Sequence, residues 1–335
     1  MPTISPDLPL IDLHRHLDGS IRLETILDVG RQHNLPLPAW EVETLKPFVQ
    51  VTSPQPGVMA FIEKFKWMVG ILVDYDVCRR VAYENVVDAQ AEGIDYIELR
   101  FSPWFMAQPH HLNAEGVTVA VVDGVECARR DTGMNVQLVG ILSRTYGPEN
   151  AGRELNALVS QKDHIVALDL AGDEANFPGN LFIEPMNIAR ESGWQITVHA
   201  GESAGAQSVW QAVLELGAAR IGHAVHAVED EALMDYLSEH KVGIECNLTS
   251  NVQTSTVKDY LSHPIKQFLE QGILATINSD DPGISGIDLA FEYEVAAPAA
   301  GLSSSQIRQA QLNALEISFL SPDDKEKLLT RKNRL

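Results

Sequence analysis

Eight short apolar runs of strand character, each followed by a polar or glycine-containing stretch and then a segment of helical period, constrain this chain more than any other feature. They fall at 9–14 (PLIDLH), 95–101 (DYIELRF), 136–143 (VQLVGILS), 165–171 (IVALDLA), 195–199 (QITVH), 219–225 (ARIGHAV), 242–247 (VGIECN) and 273–279 (ILATINS). From the third run onward the starts lie 29, 30, 24, 23 and 31 residues apart, room for one strand, one helix and two loops per unit. Eight such units predict an α/β fold, a (β/α)8 TIM barrel. A length of 335 residues permits one domain or two, and the even spacing favours a single domain over 1–335. Between the first and second runs lie about 80 residues holding Pro36, Pro38, Pro47, Pro54 and Pro56, then an amphipathic stretch through Phe61, Phe65 and Trp67. Loops that follow strands emerge at the catalytic end of a barrel. The insertion, about 20–90, is therefore expected to form a lid over a site, with Phe61 and Phe65 on its inner face.

Charge narrows the partners. Lys plus Arg number 25 against 46 Asp plus Glu, a net charge of -21, so phosphate backbones and anionic membranes are repelled. A small molecule is the expected partner, with no nucleic-acid polymer and no membrane; nothing in the sequence specifies an oligomeric state. Cys78, Cys127 and Cys246 show no redox or zinc-ribbon spacing and are expected to be reduced thiols. The N-terminus has no signal-peptide pattern and no apolar run reaches ~18 residues, which points to the cytoplasm. The tail from 323 reads as a solvated terminal helix.

The chemistry sits at strand ends. His14 and His16 stand two apart at the end of the first strand, which places both imidazoles on one face. His199 ends the fifth strand, His223 lies in the sixth, and Asp280 with Asp281 ends the eighth. A lone strand histidine is usually a hydrogen-bonded core residue, and Ser-Asp-Asp-Pro is usually a turn. Their joint arrival at one end of alternate strands, where this architecture builds its site, points instead to a shared metal centre. Three neutral imidazoles and one carboxylate suit Zn2+ with one position left open for water, hence metal-assisted hydrolysis. The fourth strand ends without the lysine that a two-metal barrel would carbamylate, since Lys162 precedes it, so one zinc per chain is expected. Four histidines compete for three positions, and Asp281 competes with Asp280. Glu202, three residues after His199, is a candidate proton donor.

HRHLDGS, ALDLAGDE, TVHAGE, RIGH, LTSN and NSDDPG resemble, in order, the motifs of the adenosine deaminase family, from residue 8 to about 320. The resemblance implies that His14, His16, His199 and Asp280 bind zinc, with His16 also facing the substrate. It implies that Glu202 protonates purine N1, that His223 orients and deprotonates the attacking water, that Asp281 binds N7, that the Gly172 N–H binds N3, and that Asp18 holds the ribose 5′-hydroxyl. The implied reaction is hydrolytic deamination of adenosine and 2′-deoxyadenosine in purine salvage. An adenine or modified-adenosine deaminase shares this machinery, but related enzymes of those kinds tend to carry Glu at the position of Asp18. A non-catalytic nucleoside-binding protein could dispense with Glu202 and His223. Two departures stand out: Ala224 follows His223 where the family more often has Gly, and Glu245-Cys246-Asn247-Leu248 replaces the commoner Glu-x-Cys-Pro. Both are expected to affect local packing and pocket shape, without putting activity in doubt.

Overall fold

Strand character and burial coincide in eight segments of the computed structural model, which describes residues 3–332. They are β1 (Ile11–His16), β2 (Tyr96–Phe101), β3 (Asn135–Ser143), β4 (Ile165–Ala171), β5 (Gln195–Ala200), β6 (Arg220–His223), β7 (Gly243–Cys246) and β8 (Leu274–Ile277). Each pairs in parallel with the next in chain order. The barrel closes just beyond β8: Asp280 donates its N–H to His14 O and accepts at its own carbonyl from the His16 N–H, both at 2.8 Å. The last bond therefore joins the very segments that carry three expected site residues. A register shift between Asp12 and Arg15 sits in the same stretch, the kind of local irregularity that re-aims a side chain.

Helices follow the strands as the spacing predicts, at Tyr75–Ala91, Ala114–Thr132, Gly147–Val159, Ile183–Glu191, Ala206–Leu214, Glu231–Glu239, Ile265–Glu270 and Ser304–Ile317. The outer strand faces and this helical ring share one apolar core holding Ile97, Leu99, Phe101, Val121, Leu168 and Ile196. Inside the barrel the alternation reverses: in β2, Glu98 and Arg100 are fully buried between the apolar Ile97, Leu99 and Phe101. The far end of the barrel is plugged where Arg220 donates to Ile317 O (3.0 Å) and lies over the Phe319 ring. The tail forms the helix Pro322–Lys332.

The span 20–90 divides. Helix Tyr75–Ala91 packs on Ala114–Thr132 and belongs to the ring, so the inserted part ends before it; counting residues between strands cannot separate a unit's own helix from an insertion. The remainder holds the helices Leu23–His33 and Val42–Val49 and the short turns of 58–69. No helix among the described residues is long and apolar enough to cross a membrane.

Candidate active site

The closed barrel brings His14, His16, His199, His223 and Asp280 together. Ring centroids of His14 lie 4.6 Å from His199, 5.3 Å from His16 and 5.1 Å from His223. Hydrogen bonds at the backs of two rings decide what their fronts present. His14 Nδ1 donates to Glu245 Oε2 at 2.7 Å, and His199 Nδ1 donates to Asp169 Oδ1 at 3.1 Å. A neutral imidazole has one proton, so both Nε2 atoms carry lone pairs. His14 Nε2 is buried, has no hydrogen-bond partner, and lies 3.2 Å from Asp280 Oδ1. His16 Nε2 is 3.3 Å from both Asp280 Oδ1 and His199 Nε2. Burial lowers the pKa of His16 and His199, which favours their neutral forms. Burial and Arg100 would lower His14 as well, but Asp280 and Glu245 raise it, so its Nε2 calls for a positive charge beside Asp280, a proton or a metal ion. Bare lone pairs crowded against a carboxylate repel one another unless a cation lies among them, so these residues fit a metal.

Among the described residues, two groupings satisfy ligand spacing. The ligand atoms of His14, His199, His223 and Asp280 all lie within 4.8 Å of one another, as do those of His16, Asp280 and Asp281. His223 differs from the others in having its Nδ1 engaged by Asn251 Nδ2 at 3.0 Å and its Nε2 3.8 Å from the other oxygen of Asp280.

Beneath the imidazoles lies a buried ionic layer. Arg100 donates to Asp169 Oδ2 and Glu245 Oε2, each at 2.8 Å, and Arg220 donates to Glu245 Oε1 at 2.6 Å and to Glu98. Burial alone would raise Glu245, but Arg100 and Arg220 hold its carboxyl well below the usual range. Two carboxylates that orient imidazoles are thus themselves fixed by guanidinium forks.

Glu202 follows β5 on a loop pinned by one carboxylate: Glu174 accepts the N–H groups of Gly201 (2.6 Å), Glu202 (3.1 Å), Ser203 (2.8 Å) and Ala204 (3.1 Å). Arg144 supports the same turn, donating to His199 O at 2.6 Å. Burial, with the nearby charges of Asp280 and Glu174, raises the Glu202 carboxyl well above its ordinary value. Its Oε1 lies 3.6 Å from His223 Nδ1.

One cavity, about 750 Å³ of empty space including its mouth, joins this group to Asp18, Gly172 and Asp281. Burial, then the charges of Asp280, Asp18 and Glu202, raise Asp281 well above its ordinary value. Burial pushes Asp18 up to about 7. Asp18 Oδ1 and Asp281 Oδ1 are both buried without partners. Gly19 makes room for Asp281, since a Cβ there would come 1.8 Å from its Oδ1. Gly172 has φ +105° and a Cβ would meet Thr145 Oγ1 at 2.4 Å. Phe61 and Phe65 line the opposite wall with ring centroids 6.0 Å apart, and Phe65 packs on Phe105 at 5.8 Å.

Both sequence departures touch His223. Ala224 has φ +54° beside His223 at +66°, so the usual glycine has a backbone reason. Asn247 Nδ2 lies 3.4 Å from each ring nitrogen of His223, so this departure reaches a side chain of the cavity. Sequence reasoning missed Arg100, Asp169, Glu174, Arg220, Glu245 and Asn251. A usable signal existed for Arg100 and Glu245: charged residues within parallel strands that ought to read as continuous apolar runs.

Residues 9–333 match the family described as adenosine deaminase. The chain is 56% identical over 329 residues to an adenosine deaminase of Edwardsiella ictaluri, covering 98% of this chain and 99% of that one. Among solved structures, it superposes on an adenine deaminase from Arthrobacter aurescens with TM-score 0.89 at 22% identity, 98% of each chain being covered. An amidohydrolase from Burkhoderia ambifaria with bound Zn gives 0.87 at 22% identity, covering 98% of this chain and 90% of that one. The two structures share the barrel. The chain belongs to the adenosine deaminase family.

Proposed function

We propose that this chain hydrolyses adenosine and 2′-deoxyadenosine to inosine and 2′-deoxyinosine with release of ammonia, in purine salvage. The observation that carries this reading is a single cavity lined by His16, His199, His223 and Asp280 together with the buried Glu202, whose carboxyl is raised by burial well above its ordinary value. The 56% identity to a protein named adenosine deaminase supports it.

His14, His16, His199 and Asp280 would hold one zinc ion. His16 is preferred over His223 because it shares Asp280 Oδ1 with His14, whereas His223 faces Oδ2 and its Nδ1 accepts from Asn251 Nδ2, which leaves the ring proton on Nε2. Lys162 precedes β4, and the strand ends at Ala171, which supports one metal. When bound, zinc supplies a Lewis acid that lowers the pKa of water at the site toward ~7.

The protein's own groups then act on the purine. His223 orients the water against C6. Glu202 gives its proton to N1 as the C6–O bond forms, so the electron pair displaced from the ring does not become a free anion. Asp281 is held in its acid form and so can donate to N7, the Gly172 N–H donates to N3, and Asp18 accepts from the 5′-hydroxyl. Collapse of the tetrahedral carbon restores the ring: the amino group takes up the proton that the water shed on attack and leaves as ammonia, and the C6 hydroxyl proton returns to Glu202. The turns of 58–69 act as the lid, Phe61 and Phe65 keeping the pocket dry. Among the described residues no lysine or arginine lines the cavity, which favours a neutral nucleoside over a nucleotide. Three free cysteines suit a reducing cytoplasm.

The ultraviolet change on incubation with adenosine, 2′-deoxyadenosine and adenine in parallel tests the reading. Both nucleosides should turn over, with kcat/KM for adenine lower by ~10² to 10⁴ because Asp18 is left desolvated and unpaired. Equal values for adenine and adenosine would sink it. Metal analysis should give one zinc per chain, lost in His16→Ala and His199→Ala and retained in His223→Ala.

A further inference from the structure

His223 is held from behind by a chain of buried hydrogen bonds that leaves the cavity. The backbone N–H of Ile265 donates to His263 Nδ1 at 3.1 Å, His263 Nε2 meets Asn251 Oδ1 at 3.1 Å, and Asn251 Nδ2 meets His223 Nδ1 at 3.0 Å. His223, Asn251 and His263 are all buried. The direction of every bond follows from the first. A backbone N–H can only donate, so His263 Nδ1 presents its lone pair. Burial pulls the His263 ring down to about 3, so near pH 7 the ring is neutral and its one proton lies on Nε2. That proton turns Asn251 Oδ1 toward His263 and leaves Nδ2 for His223. His223 Nδ1 must accept. Asn247 Nδ2, equidistant at 3.4 Å from both nitrogens, is a longer contact than the 3.0 Å bond from Asn251 and by its position favours neither tautomer.

We infer that His263 and Asn251 are positioning residues that hold His223 as the Nε2–H tautomer, turning that N–H toward Asp280 Oδ2 and the space where water is attacked onto the substrate. The inference rests on the reading of His223 as the residue that orients that water, and it excludes His223 as the base that deprotonates it, since an Nε2–H facing the water has no lone pair to offer there. The opposite tautomer would set a lone pair against the Asp280 carboxylate, 3.8 Å away. The relay is built on two separate supports. Asn251 rides on the helix Leu248–Gln253, whose first N–H groups, Leu248 and Thr249, are each held by Glu292 at 3.1 Å. His263 stands two residues before the first residue of the helix Ile265–Glu270, with Pro264 between them, and its anchor is that helix's own first N–H.

The test is two-bond 1H–15N correlation of the imidazoles in the full-length, zinc-loaded protein, His223 being assigned from the resonances lost in His223→Gln. In the wild type, His223 and His263 should each show an acceptor Nδ1 and a protonated Nε2. A protonated Nδ1 on His223 overturns the inference. Asn251→Asp keeps the volume but can only accept, so the His223 proton should move to Nδ1. Turnover should then fall by ~10- to 100-fold with zinc content unchanged and KM little affected; an unchanged tautomer, or loss of zinc, overturns it. His263→Gln retains a donor toward Asn251 and should preserve the wild-type pattern, whereas His263→Phe should not. Identical behaviour of those two variants counts against the relay, and the wild-type and Asn251→Asp spectra decide it if His263→Phe does not fold. Failure of adenosine as a substrate would sink the proposed reaction while leaving the tautomer result intact.

Discussion

Glu202 shows how far one residue's surroundings decide its chemistry. A glutamate just past a strand end would ordinarily be ionised, and a carboxylate cannot give a proton to N1. Burial and the fields of Asp280 and Glu174 favour the neutral form, so this side chain is an acid near neutral pH. The sign for activity follows: the step needs the protonated form, so kcat is retained at pH values where an ordinary carboxyl has ionised and is lost as pH rises through the raised pKa. Glu202→Gln keeps size and polarity but has no transferable proton. We expect kcat to fall by ~10² to 10⁴ with zinc content near wild type, and tetrahedral C6 analogues to lose more affinity than substrate does. Near-normal turnover would remove Glu202 from the chemistry, and loss of zinc would recast it as a support of the metal cluster.

Elements set the positions these residues need. The 201–204 turn has no strand partner, and four of its N–H groups converge on Glu174, a carboxylate that works here as an anion in a nest of amides. In Glu174→Gln one oxygen becomes an NH2 that would point at backbone donors. The expected outcome is faster hydrogen exchange at the 201–204 amides together with a lower kcat and intact zinc; unchanged exchange would show that β5 and Arg144 suffice to hold the turn. The segment of 58–69 makes the complementary case. Phe61 and Phe65 are one helical turn apart, buried, and on the cavity wall. Replacing both by Ala should raise KM and lower kcat/KM by ~10- to 200-fold, the range for lost apolar contacts in a pocket. Unchanged kinetics in a folded protein would make these rings packing for Phe105 and the barrel rim.

At the scale of the whole molecule, the parts legible in the sequence are those written in local period and at strand ends. All eight strands were readable because a buried parallel strand needs an apolar run, and His14, His16, His199, His223 and Asp280 stood out as polar residues closing such runs. What was not readable depends on closure. Arg100 and Glu245 are 145 positions apart, and His14 and Glu245 are 231 apart; only the barrel makes them neighbours. The same holds for the relay behind His223, in which nothing in the local sequence marks His263 as different from a surface histidine. Its burial does, and burial carries a consequence for stability. In the unfolded chain this ring titrates near ~6.5, whereas in the fold it is held at about 3. Between those values the unfolded state binds a proton that the native state refuses, so the stability linked to this ring is complete above the unfolded pKa and drains away as pH falls toward 3. The slope in that window is ~1.4 kcal/mol per pH unit for one proton. Denaturant unfolding of wild type and His263→Gln from pH 7 to pH 4, at one fixed zinc concentration, isolates this contribution, because metal release and the other carboxylates act on both proteins alike. The wild type should lose stability more steeply by about one proton's worth. Parallel curves would mean that His263 takes up its proton in the folded state, and a charged His263 would no longer leave Nδ1 free to accept from Ile265.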